Sequence, residues 1–145
     1  MQMSVEQHHK TAVIIKGNPE LVSGNPRADA FYNELKVFLE SLGFVVVFDP
    51  GESHTTPPAA LVWIGHSRGA DRLRFAPEGT VVIGIGAPQS EEGNNFPVVN
   101  HPDDEMAKLV YKNGRVVKND NKIPDDTYHY VLSDEMKEKI KKILE

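Results

Sequence analysis

Apolar residues fall into two kinds of run along this chain, and their alternation sets the expected architecture. Nearly continuous blocks at residues 11–16 (TAVIIK), 44–48 (FVVVF), 61–64 (LVWI) and 80–85 (TVVIGI) lack polar alternation, as buried strands of a parallel sheet do. Between the first two, Phe31, Leu35, Phe38, Leu39 and Leu42 recur at helical spacing from Arg27 onward, and Gly43 supplies a stop. Gly17-Asn18-Pro19 and Gly24-Asn25-Pro26 mark the intervening loop, and Asp49-Pro50-Gly51 opens another that runs to Pro58. Strand, helix, strand predicts a parallel crossover unit.

The second half continues the alternation. A short helix is expected from about Gly69 to Phe75, closed by Ala76-Pro77-Glu78-Gly79, and residues 86–95 form a polar loop. Phe96-Pro97-Val98-Val99-Asn100 reads as a fifth strand that delivers His101-Pro102-Asp103-Asp104 just beyond its end. Residues 108–117 suit either a hairpin about Asn113-Gly114 or a helix capped by Gly114 and followed by a last strand, Arg115 to Lys118; the second is preferred because it keeps the α/β order. At the end Ser133 can cap a helix whose apolar side is Met136, Ile140, Ile143 and Leu144, and whose basic stretch, 137–142, is a solvated face. The expected fold is α/β: a three-layer α/β/α sandwich with helices on both faces of a mostly parallel sheet of five or six strands, in the order 2-1-3-4-5-6.

Composition narrows the function classes. At 145 residues, with 39% apolar and 26% charged residues, the chain reads as one domain, 11–145, behind a short flexible arm at 1–10. No apolar run approaches the roughly 20 residues that span a bilayer, and the start lacks the apolar core of a secretory signal, so a cytoplasmic protein without membrane contact is expected. A net charge of -5 argues against binding nucleic acid. The absence of cysteine removes disulfides, thiolate metal sites and cysteine nucleophiles.

Chemistry concentrates where the third apolar block stops, at Gly65-His66-Ser67-Arg68-Gly69, a G-x-S-x-G pentapeptide between a strand and a short helix. A serine on such a sharp turn needs a base to take its proton and an acid to orient the base. Ser67 as nucleophile, Asp104 as acid (with Asp103 close behind) and His129 as base supply these groups in the chain order nucleophile, acid, histidine. In this the chain resembles the α/β-hydrolase family, from residue 11 to its end, as a minimal member with no room for a cap domain between residues 87 and 95. The resemblance implies a serine hydrolase acting on a small acyl substrate, an ester, thioester or amide, with no cofactor and no metal.

It also implies an oxyanion hole from the N–H of Arg68 and an N–H in the loop after the first strand, Asn18 being favoured, since Pro19 has none. Gly17 and Arg68 are candidate substrate contacts, although Arg68 can instead pair with Asp71. Asp125 and Asp126 are weaker candidates for the acid, being too near His129 in sequence for a separate strand end; His66 reads as a packing residue, and His54 and His101 as structural or exposed. The run Ser67 to Leu73 also resembles the phosphate-binding turn of Rossmann-like nucleotide-binding proteins related to the lysine-decarboxylase-like and DNA-processing families. A third reading is a non-catalytic binding module on a hydrolase-like fold. Nothing in the sequence settles the oligomeric state.

Overall fold

The computed structural model describes residues 10–50, 56–91, 93–113, 115–119 and 123–145. Its strands are β1 (Thr11–Ile15), β2 (Val45–Asp49), β3 (Val62–His66), β4 (Val81–Ile85), β5 (Gln89–Ser90), β6 (Val98–Val99), β7 (Val110–Lys112) and β8 (Arg115–Lys118). Five of them form a parallel sheet in the order β2-β1-β3-β4-β6. This is the expected order for the first five strands, with β6 as the fifth, shortened to the pairs Gly84 with Val98 and Ile85 with Val99.

The apolar blocks of β1 and β3 have a simple cause: both faces are covered at the centre of the sheet. The edge strand β2 instead leaves Val45, Val47 and Phe48 exposed, against the expectation of a buried strand there. Successive side chains on a strand point to opposite faces. Ala12 and Ile14 of β1 enter a cluster with Ile64, Ile83, Phe31, Leu35, Leu39, Met136 and Ile140. Val13 and Ile15 instead join Trp63, Ala70, Leu73 and Ala87. Helices α2 (Pro26–Ser41) and α3 (Asp134–Leu144) supply the first cluster, and a nine-residue 3₁₀ helix, Ser67–Phe75, supplies Ala70 and Leu73 to the second. Each large apolar side chain buried this way contributes about 1.5–3 kcal/mol.

Capping fixes where the helices begin. The Asn25 side chain accepts hydrogen bonds from the N–H groups of Arg27 (3.0 Å) and Ala28 (3.3 Å), Pro26 occupies the first turn, and Gly43, at φ 98°, leads the chain away from the other end. Ser133 accepts from the Met136 N–H at 3.2 Å to start α3. The loop expected before α2 contains one helical turn, α1 (Pro19–Val22), capped by Asn18.

One element differs from the preferred expectation. Residues 108–117 do not form a helix with a following strand of the main sheet: a 3₁₀ turn, Met106–Lys108, leads into an antiparallel hairpin of β7 and β8, with Lys112 opposite Arg115. Asn113 adopts φ 53°, the left-handed conformation that a two-residue Asn-Gly turn needs, and that local preference overrides the α/β alternation. Gly114 lies outside the described residues, as do His54 and residues 1–9 of the expected arm. The intended sixth strand therefore joins a separate three-stranded sheet, β5-β7-β8. Among the described residues, no helix is long and apolar enough to cross a membrane.

Candidate active site

The carboxyl ends of β3 and β4 are adjacent, with His66 paired to Ile85. Ser67 leaves β3 at φ 55°, a left-handed conformation that costs a non-glycine residue on the order of 1–2 kcal/mol. Two close approaches explain the flanking glycines. A Cβ on Gly65 would stand 2.6 Å from Ala70 Cα, and one on Gly69 would stand 2.5 Å from the Ile15 carbonyl oxygen. The pentapeptide thus folds the 3₁₀ helix back against its own strand and against β1, with a strained serine at the bend.

Asp104 and His129 form a buried pair beside this turn, 1% and 3% exposed. His129 Nδ1 lies 3.0 Å from Asp104 Oδ2 and 3.3 Å from Oδ1. Oδ1 also accepts from the Ala107 N–H at 3.2 Å. A carboxylate only accepts, so the His129 proton sits on Nδ1 and leaves Nε2 as the free basic nitrogen. Asp103 points elsewhere: it is exposed, 3.9 Å from His101, whose ring stacks on Tyr128. Asp126 pairs with Arg27 at 2.8 Å, and Asp125 turns onto Thr127, whose hydrogen bonds hold its carboxyl below the usual carboxylate range.

Gly86, at φ 57° just after β4, forms the wall behind the pair. A Cβ there would lie 3.1 Å from Asp104 Oδ2 and 3.2 Å from His129 Nδ1. Tyr32 is a second residue that sequence reasoning passed over. Its hydroxyl is 2.9 Å from His66 Nδ1 and accepts the Gly17 N–H at 3.0 Å, while His66 Nε2 is 2.9 Å from the His129 carbonyl oxygen. Burial, reinforced by His129 nearby, pushes His66 down to about 3, and burial pushes the Tyr32 hydroxyl up.

The remaining candidates divide. Gly17 is buried against Ser67, where an added Cβ would meet the Ser67 Cβ at 3.3 Å. Its N–H is already given to Tyr32. Asn18, the next residue, is exposed and caps α1 with its side chain, its Oδ1 accepting from the Glu20 N–H at 3.0 Å. Among the described residues, no hydrogen bond uses the Asn18 N–H. The Arg68 N–H falls in the first turn of the 3₁₀ helix, where backbone donors have no intrahelical acceptor. Its side chain pairs with Asp71 at 2.9 Å and lies 4.5 Å over the Tyr111 ring. Ser67 and His129 are not hydrogen-bonded to each other.

In a 3₁₀ helix residues three apart share an edge. Arg68, Asp71 and Arg74 accordingly line one wall of a groove of about 490 Å³, faced by Gln89, Phe96 and Tyr111. None of Ser67, Asp104 and His129 lines it, so the groove adjoins the elbow through Arg68 alone. Among the described residues, no three His, Asp or Glu side chains are grouped to hold a metal ion. The chain matches no protein-family model, no curated protein and no solved structure, so the geometry above carries the functional argument.

Proposed function

We propose that the protein is a serine hydrolase acting on a small ester, thioester or amide, built on a minimal, capless α/β-hydrolase-like three-layer sandwich. The observation that carries this reading is the buried Asp104–His129 pair, in which the carboxylate holds Nδ1 of a histidine packed against His66, the residue that precedes the strained Ser67. In the proposed reaction Ser67 Oγ attacks the acyl carbon, His129 Nε2 takes its proton, and Asp104 stabilises the imidazolium. The oxyanion is received by the N–H groups of Arg68 and Asn18, Gly17 packing against Ser67 beneath them. The proton returns to the leaving group, and water, activated by the same histidine, releases the acyl group from Ser67. None of these steps requires a cofactor. A triad that is loose before substrate arrives commonly tightens in the complex, which accommodates the missing Ser67–His129 hydrogen bond.

The phosphate-binding alternative, with the Ser67–Asp71 turn as cradle, leaves the buried acid–histidine pair without a role. A fluorophosphonate probe separates the two. Wild-type protein should be labelled at Ser67, and Ser67→Ala should not; a folded wild type that resists labelling while binding a nucleotide would overturn the hydrolase reading.

A further inference from the structure

The hydrogen bonds around His66 have a determined direction. A backbone carbonyl can only accept, so at 2.9 Å from the His129 oxygen the His66 Nε2 must carry the proton. A neutral imidazole has one proton, which leaves Nδ1 as an acceptor. Tyr32 therefore donates its hydroxyl proton to Nδ1 at 2.9 Å, and its oxygen is free to receive the Gly17 N–H at 3.0 Å. The chain runs one way, from Gly17 N–H to Tyr32 O–H to His66 Nδ1, and from His66 Nε2–H to the His129 carbonyl. Hydrogen bonds aligned head to tail polarise and strengthen one another in a low-dielectric interior.

This chain joins the parts of the site that come from separate elements. Gly17 belongs to the loop after β1, Tyr32 to α2, His66 to the last position of β3 immediately before Ser67, and His129 to the segment before α3. Ring packing reinforces it: His66 lies 4.5 Å from the Phe31 ring and 4.7 Å from the His129 ring. Gly17 spends its N–H on Tyr32, whereas among the described residues no hydrogen bond uses the next N–H along, that of Asn18.

We propose that His66 and Tyr32 are positioning residues, which hold the His129 base through its backbone and the Gly17–Asn18 loop in register with Ser67, His66 being fixed as its Nε2–H tautomer and taking no part in proton transfer. The proposal rests on the serine-hydrolase reading for its consequence in catalysis but not for the hydrogen-bond chain itself.

The test combines a spectroscopic and a chemical readout on the full chain. Long-range imidazole ¹H–¹⁵N spectra should show His66 with its proton on Nε2 from about pH 5 to 8, the range in which an ordinary histidine titrates. A proton on Nδ1, or titration in that range, would overturn the proposal. In parallel, fluorophosphonate labelling of Ser67 is followed in Tyr32→Phe, His66→Leu and His66→Gln. The first two should slow labelling by roughly 10- to 100-fold, the scale of a misplacement of about 1 Å. His66→Gln, whose amide can again donate toward the His129 carbonyl, should recover most of the rate. Folded Tyr32→Phe and His66→Leu proteins that label at the wild-type rate would refute a positioning role. If folded wild type does not label, the hydrolase reading fails separately, and the His129 Nδ1–H signal decides: it must move in Tyr32→Phe, and an unmoved signal overturns the proposal.

Discussion

A histidine sealed in the interior makes the protein sensitive to acid in a way that a surface histidine would not. His66 is fully buried and held near 3, below its ordinary 6.5, so only its neutral form fits the fold. Its contribution is complete above pH 6.5 and is lost as pH falls toward 3. Urea midpoints measured across this range should drop more steeply for wild type than for His66→Gln, which has no proton to gain there. For the acid, Asp104→Asn should keep the pair's shape while losing the charge that fixes the His129 tautomer. Labelling at Ser67 should fall about 10⁴-fold, the scale known for neutralising a triad acid, with little change in the far-UV spectrum. The motif and the chain order named Ser67, Asp104 and His129 as candidates, and of these the fold joins Asp104 to His129. Tyr32 was not legible, because it sits three residues before Leu35 on a stripe that reads as plain core, and its hydroxyl acquires meaning only when β3 brings His66 to it. Gly86 was equally silent, since a glycine ending an apolar block looks like any loop start.

Backbone crowding governs the elements around the elbow. Gly69→Ala would drive a methyl into two carbonyl oxygens of the β1 end, those of Ile15 and Lys16, and Gly65→Ala would drive one into Ala70. Neither obstacle is a flexible side chain, so each substitution should cost at least the ~1–3 kcal/mol typical of overpacking, read as a lowered denaturation midpoint. Gly86→Ala should separate stability from function differently: its positive φ and the 3.1–3.2 Å approach to Asp104 and His129 predict a moderate loss of stability with a disproportionate loss of labelling. Periodicity predicted α2, α3 and the positions of the long strands well, but it overstated the burial of β2, whose apolar run lies at the exposed edge of the sheet. It failed at residues 108–117, where the pattern was compatible with two structures. Asn113 chose between them by its tolerance of the left-handed region, a preference stronger than the alternation of the surrounding elements.

At the scale of the molecule, the sheet order places the elbow strand at the centre and the acid at the edge. Composition and alternation made the parallel sheet legible. They did not reveal that its last strand would be two residues long; Pro97, just before it, accepts the Gly84 N–H but has no N–H to give to the ladder, and Phe96 packs over Gly84. The turn that carries Asp104 hangs from this short strand, whereas Ser67 hangs from β3, which pairs with β1 from Val62 to Gly65 and with β4 from Val62 to His66. Regions held by few buried hydrogen bonds open without global unfolding. Native-state hydrogen exchange should therefore find the amides of β6 and the following turn exchanging by local fluctuation, well before those of β1 and β3. Asp104 and Ser67, the proposed acid and nucleophile, would then belong to different cooperative units. On slow heating, reactivity at Ser67 should disappear several degrees below the loss of helical signal: the chemistry of this chain would melt before its fold.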